Sequence, residues 1–203
     1  MRTIRFVIAT VAIAVLASCA ANPSTTPGAG ATVELMADYP PFDAGSLTQS
    51  ADLIIEGTAL SSEPTVLTPR YEGDTAQENP ILGLSEEEQK RVIADDEGVP
   101  ATAVTFRVDT VHKGAVGVGQ EIVILQTGGV VDGVTYKVRE EDPLKTQESY
   151  LIFAGKSHDG AFYILGGSAG TYISTGDDTF SAVNPDTAPF SEIDSAEVAN
   201  LAD

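Results

Sequence analysis

In Ala101-Thr102-Ala103-Val104-Thr105-Phe106-Arg107-Val108-Asp109-Thr110-Val111-His112-Lys113, apolar Val104, Phe106 and Val108 alternate with polar Thr105, Arg107 and Asp109. A period of two places one face in a core and the other in water, which is the signature of a half-buried strand. Val111 breaks the phase, and Gly114, Gly117 and Gly119 mark the turn that follows. Further strands are expected at residues 121–126, 134–138, 149–154, 162–165, 172–175 and 179–183. Gly128-Gly129 closes the first of these, and Gly176-Asp177-Asp178 forms the tip of the last hairpin. Upstream, residues 53–60 form the first strand, and Gly57 within it implies a bulge or a close backbone approach. Asp159-Gly160 is a hairpin signal between two of the strands.

Two or three short segments read as helical. Ser46-Leu47-Thr48-Gln49 has the spacing of a capped turn, with Ser46 as the cap. Ser85 followed by Glu86, Glu87 and Glu88 fits a capping box, with acids where the helix dipole favours them. Residues 191–201 have Ser191 and Asp194 at the same spacing. The body is therefore mainly β, with one or two short helices. A small antiparallel sheet protects its edges by closing into a barrel, and a β-sandwich is the alternative arrangement.

Three segments carry a resemblance: Ala51-Asp52-Leu53-Ile54-Ile55-Glu56-Gly57-Thr58, then Val104-Thr105-Phe106-Arg107-Val108-Asp109-Thr110-Val111-His112-Lys113-Gly114, then Glu148-Ser149-Tyr150-Leu151-Ile152-Phe153. Their order resembles the strand series of OB-type barrels in the netrin-module and metalloproteinase-inhibitor superfamily. The resemblance spans about residues 50–175. It implies a closed or partly open five-stranded, OB-like barrel, and carries no function. The inhibitors of that superfamily chelate zinc through a free N-terminal cysteine and are crosslinked by disulfides. This chain has one cysteine, so it lacks those disulfides, and that cysteine is expected to be tethered and acylated rather than free.

That cysteine belongs to the N-terminal segment. Arg2 and Arg5 precede an apolar run at residues 6–17 that is interrupted only by Thr10. The run is shorter than the roughly 20 residues a membrane-spanning helix needs, and the pattern is that of a secretory signal. It ends in Leu16-Ala17-Ser18-Cys19, which resembles the lipobox of bacterial lipoproteins. The resemblance implies cleavage before Cys19, a diacylglycerol on that residue with a further palmitate-type acyl chain as an option, and an extracytoplasmic protein anchored in the lipid bilayer. Two acyl chains give stable anchoring, at about 0.8 kcal/mol per buried CH₂.

The expected organisation is a signal peptide at 1–18, a flexible tether at 19–33, a barrel-like domain at 34–183 and a C-terminal tail, partly helical, at 184–203. The tether holds Pro23, Pro27, Gly28 and Gly30 and no charge, so it gains too little from packing to order itself. Its extended reach is roughly 40 Å.

The chain has 30 acidic and 11 basic residues among 203, a formal charge of −19. Loss of Arg2 and Arg5 with the signal leaves nine basic residues, and hence −21. Such a body is repelled by anionic headgroups and lacks the basic face that nucleic-acid binding needs.

Chemistry-bearing motifs are few. Gly166-Gly167-Ser168-Ala169-Gly170 matches G-x-S-x-G. A nucleophile elbow needs a helix after it and a histidine later in the chain. Residues 171–174 read as strand and no histidine follows Ser168, so a glycine-rich turn is expected. Gly155-Lys156-Ser157 lacks the first glycine of a P-loop, since Tyr150 stands in its place. His112 and His158 are far apart and have no ligand spacing. The acidic runs Glu86-Glu87-Glu88, Asp95-Asp96-Glu97, Glu140-Glu141-Asp142 and Asp177-Asp178 form no EF-hand loop. They are expected to be solvated, with weak divalent-cation binding as the alternative.

Residues 61–100 form an excursion far longer than the usual connection of about 4–6 residues. Tyr71, Ile81 and Leu82 within it are candidate contact residues; the alternative is that they pack the excursion onto the barrel. No cofactor is expected beyond the lipid on Cys19. The functional expectation is a membrane-anchored cell-envelope lipoprotein that acts as a non-catalytic binding or interaction module. Its charge favours an envelope protein or a basic peptide as partner. The alternatives are an envelope hydrolase and a divalent-ion-binding structural protein.

Overall fold

A computed structural model describes residues 29–37, 39–67, 75, 79–95, 98–139, 141–157 and 160–202. The expected signal peptide, most of the tether, Cys19, Tyr71 and His158 lie outside the described residues.

The architecture is mainly β. β1 spans Thr32–Leu35, β2 Leu53–Leu67, β3 Val99–Lys113, β4 Glu121–Thr127, β5 Gly129–Val131 and β6 Val134–Val138. β7 (Ser149–Lys156), β8 (Phe162–Ile164), β9 (Thr171–Gly176), β10 (Thr179–Ala182) and β11 (Glu192–Asp194) follow. The helices are α1 (Ala44–Ser50), α2 (Glu86–Asp95) and α3 (Ser195–Ala202), with a 3-10 turn at Gly167–Gly170.

Five strands close into a barrel in the order β2-β3-β4-β8-β7 and back to β2. This is the OB-like barrel, and the sandwich alternative falls away. One pair in the ring, β4 with β8, is parallel, while the other four are antiparallel. The reason is one of parity: strands cannot alternate direction all the way round a ring of five. The barrel is filled by alternate residues, as the strand periodicity requires. Leu53, Ile55, Val104, Phe106, Val108, Ile124, Tyr150 and Ile152 meet there, with Phe106 and Tyr150 edge to face at 6.2 Å. Gly57 sits at a register shift in β2, and a Cβ there would lie 2.6 Å from the Arg107 carbonyl oxygen. The bulge and the close approach expected at this glycine thus coincide.

β7 is buried on both faces. Its even-numbered residues enter the barrel, while Leu151 and Phe153 face a second core. This explains its uninterrupted apolar run. β9, β10 and β11 extend the sheet beyond the N-terminal half of β7, and α1 and α3 contribute Leu47 and Val198 to the second core. β1, β5 and β6 form a separate three-stranded sheet, in which β1 runs parallel to β6. β1 begins at Thr32, inside the stretch read as tether, because its pairing with residues 135–138 orders it.

The excursion is shorter than its sequence suggests. Residues 61–67 and 99–105 continue β2 and β3 as a ribbon, whose β3 strand also pairs with β4 from residue 101 onward. Residues 61–64 are exposed, so no hydrophobic alternation betrays the strand. Pro64 is tolerated because β7 pairs only with residues 53–58 of β2, leaving the ribbon with a free edge.

Two helix starts are shifted. α1 is capped by Asp43, whose carboxylate accepts the Ser46 N–H at 2.7 Å, while Ser46 Oγ accepts the Asp43 N–H at 2.9 Å. Ser46 is therefore the return member of the capping box rather than the cap. α3 starts at Ser195, because Glu192–Asp194 pair with β10 instead. Asp194 then accepts the Glu197 N–H at 2.8 Å. α2 begins as expected, with Ser85 and Glu88 hydrogen-bonded to each other, and its described side chains are exposed or half-buried. Among the described residues no helix is long and apolar enough to cross a membrane.

Candidate functional site

Glu141 follows β6 on a segment held against the barrel. The Gln126 side chain pins this segment at two points. Its amide donates to the Asp142 carbonyl at 3.1 Å, and its oxygen accepts the Leu144 N–H at 2.9 Å. Just ahead of those anchors Glu141 turns inward and is 8% exposed. The neighbouring Asp142 side chain is 81% exposed. The adjacent acids thus face opposite ways, and only one of them is solvated.

The glycine-rich turn makes room for this carboxylate. Gly166 and Gly167 have φ of 59° and 56°, the left-handed region where a side chain is strained. A Cβ on Gly167 would also overlap Glu141 Oε1 and lie 2.8 Å from the Tyr39 ring. The Ser168 N–H donates to Glu141 Oε1 at 3.2 Å. Burial pushes the Glu141 carboxyl up from its ordinary range, opposed in part by this hydrogen bond. Burial likewise raises the Tyr39 hydroxyl, opposed by a hydrogen bond with Thr127.

Three clefts meet at Glu141. One of about 520 Å³ runs between the ribbon and the small sheet, lined by Pro64, Gln126, Val130, Val138 and Leu144. A second of about 600 Å³ is bordered by Tyr39, Phe42, Arg139, Ser168 and Thr187. A third of about 140 Å³ is flanked by Tyr39, Leu125 and Gly167. The larger two fall in the size range of small-molecule sites.

Ser168 itself is buried, and its hydroxyl hydrogen-bonds to Thr187 Oγ1 at 2.8 Å. It lies in a 3-10 turn followed by β9, not by a helix. The G-x-S-x-G match is thus the glycine-rich turn expected of it.

His112 lies elsewhere, with its side chain only 6% exposed. Its Nε2 lies 2.8 Å from Glu56 Oε1, and Ser195 Oγ donates to the same oxygen at 2.5 Å. Glu56 therefore ties β2, β3 and the start of α3 together. Burial raises its pKa, but hydrogen bonds from His112, Ser195 and Thr110 outweigh that and hold the carboxyl below 4.5. A depressed folded-state pKa contributes stability above the unfolded value, and this is lost as pH falls through the folded one. Glu56→Gln is expected to cost about 1–3 kcal/mol at pH 7. The gap from the parent should narrow progressively in urea unfolding below pH 4.5.

Of the residues singled out from the sequence, Ile81 is buried and Leu82 is 50% exposed. They adjoin each other in a turn and lie in none of the three clefts. Glu141, Glu56 and Ser195 escaped the sequence reading. A clue for Glu56 was its place between Ile55 and Gly57 in an otherwise apolar run; Glu141 had no local signal. Among the described residues, no group of three or more His, Cys, Asp or Glu is placed to hold a metal ion. No protein-family model matches the chain, and no curated protein matches it in sequence.

Proposed function

We propose that this chain is a cell-envelope lipoprotein, anchored by diacylglycerol at Cys19, whose barrel acts as a non-catalytic binding module. The carrying observation is the meeting of three clefts at one buried carboxylate, beside a serine engaged with a threonine rather than with a base. The clefts offer volume and a polar anchor, as binding requires. The charge of the mature body, −21, keeps it off anionic lipid and favours a partner with basic segments. α2, with Glu86, Glu87 and Glu88 in its first turn, offers that partner a second, acidic surface.

Metabolic labelling with an alkynyl fatty acid tests the anchor. Cys19→Ala is expected to reduce the label to background and release the protein from membranes; retained label refutes lipidation at this residue. Crosslinking in cells tests the module. A specific partner should be captured by the parent and lost when Val130→Trp narrows the 520 Å³ cleft or a short Gly-Ser turn replaces residues 68–98. If nothing is captured by the intact lipoprotein, the binding-module reading fails.

A further inference from the structure

Glu141 is a carboxylate placed where water is scarce. Burying such a group is costly unless a cation or several donors compensate it. The only hydrogen bond to it among the described residues is the Ser168 N–H, at 3.2 Å. The cations of the surrounding clefts are engaged elsewhere: Arg139 pairs with Glu34 at 2.7 Å and Lys137 lies 3.9 Å from Asp142. Two of the neutral polar side chains in the 520 Å³ cleft are also occupied. Gln126 uses both ends of its amide on the backbone, and the Thr102 hydroxyl donates to the Gly128 carbonyl at 2.8 Å.

Three further features agree on the sign and shape of what fits. The walls leading to Glu141 are largely apolar, formed by Pro64, Val138, Pro143 and Leu144 among others. The Tyr39 ring stands beside Gly167 and lines the other two clefts that reach Glu141. An aromatic face next to a carboxylate suits an ammonium group, which gains from both. The net charge of the chain raises the local concentration of cations and repels anions.

We propose that this site binds a primary ammonium group carried on an apolar stem, with Glu141 as counter-ion and Tyr39 as aromatic wall. The inference rests on the binding-module reading and names its ligand chemistry. The same chemistry is found in a free alkylamine and in the lysine side chain of a partner protein.

The test is titration of the full soluble body with pentylamine, followed by amide NMR. Saturable shifts centred on Gly167 and Ser168 are expected. Pentanol, which has the same stem without the charge, should leave these amides unmoved, and so should pentanoate. Glu141→Gln is expected to weaken pentylamine binding at least tenfold. Should that variant lose its fold, Tyr39→Leu retains the carboxylate and is expected to weaken binding about threefold, the cation–π share at a partly exposed site. A lysine peptide that binds more tightly than pentylamine assigns the site to a protein partner; the reverse order assigns it to a small amine. Equal shifts with pentanol, or unsaturable shifts spread over the acidic surface, overturn the inference. If crosslinking captures a partner while pentylamine does not bind, the binding module stands and the ammonium site falls.

Discussion

Alanine at position 170 is expected to destabilise the protein by about 3 kcal/mol or more, and its expression at 37 °C should fall with it. Gly170 closes the 3-10 turn and is buried. An added Cβ would overlap the Leu165 carbonyl oxygen and lie 2.9 Å from the Phe153 carbonyl oxygen. Both obstacles are backbone, so no rotamer change relieves them. Moving either means shifting β7 or the segment after β8, and β7 is packed on both faces. The comparison variant is Ser168→Ala, which removes only a hydroxyl paired with Thr187 and is expected to cost about 1 kcal/mol. Denaturant unfolding measures both. A Gly170→Ala protein as stable as its parent would mean that the turn yields where the packing says it cannot.

Phe153→Ala is expected to cost about 3–5 kcal/mol. Phe153 is fully buried and meets Tyr172 edge to face at 5.8 Å. Tyr172 in turn meets the Phe190 ring at 6.2 Å. Burial of Tyr172 pushes its hydroxyl up to about 12, a sign of how dry this core is. Truncation leaves a cavity walled by a sheet on one side and by the segment around Phe190 on the other, and neither collapses readily into it. Calorimetry at neutral pH, where Tyr172 is neutral, reads this loss as a lower Tm. An unchanged Tm would show that the second core does not contribute to global stability.

The elements legible in the sequence are those with one wet face and one dry one. Residues 101–113 declare a strand because Val104, Phe106 and Val108 are wholly buried while Arg107 and Asp109 are not. β7 declares itself differently, through an apolar run that only two-sided burial sustains. The outer half of β2 was hidden because residues 61–64 are exposed on both faces, so nothing in their polarity distinguishes a ribbon from a loop. The helix starts were misplaced by competition between neighbours: Asp43 precedes Ser46 as a cap, and β10 recruits residues 192–194 before α3 can include them.

The candidate site was the least legible part. Glu141 sits in Glu140-Glu141-Asp142, a run that composition alone assigns to solvent. What buries it lies elsewhere in the chain: Gln126 on β4 and the left-handed glycines at 166 and 167. The G-x-S-x-G pattern drew attention to the right place for a different reason. Its glycines serve backbone conformation and close packing, and its serine contributes an N–H to a carboxylate. Residue types were informative there, but their roles depended on contacts between distant segments.

The two-faced strand β7 has a consequence for cooperativity. Together with β2, which gives Leu53 and Ile55 to the barrel and Ile54 to the second core, it is common to the interiors on either side of it, so neither can open without exposing the other. A separate unfolding of the C-terminal half would strip Leu151 and Phe153 of cover while Tyr150 and Ile152 stayed packed, which one rigid backbone cannot satisfy. The described residues are thus divided by topology into a barrel and an added sheet, yet the two are expected to unfold as one cooperative unit. Truncation of Ile193 in β11 or Val198 in α3 is therefore expected to lower the stability of the barrel as well, although neither side chain belongs to its interior.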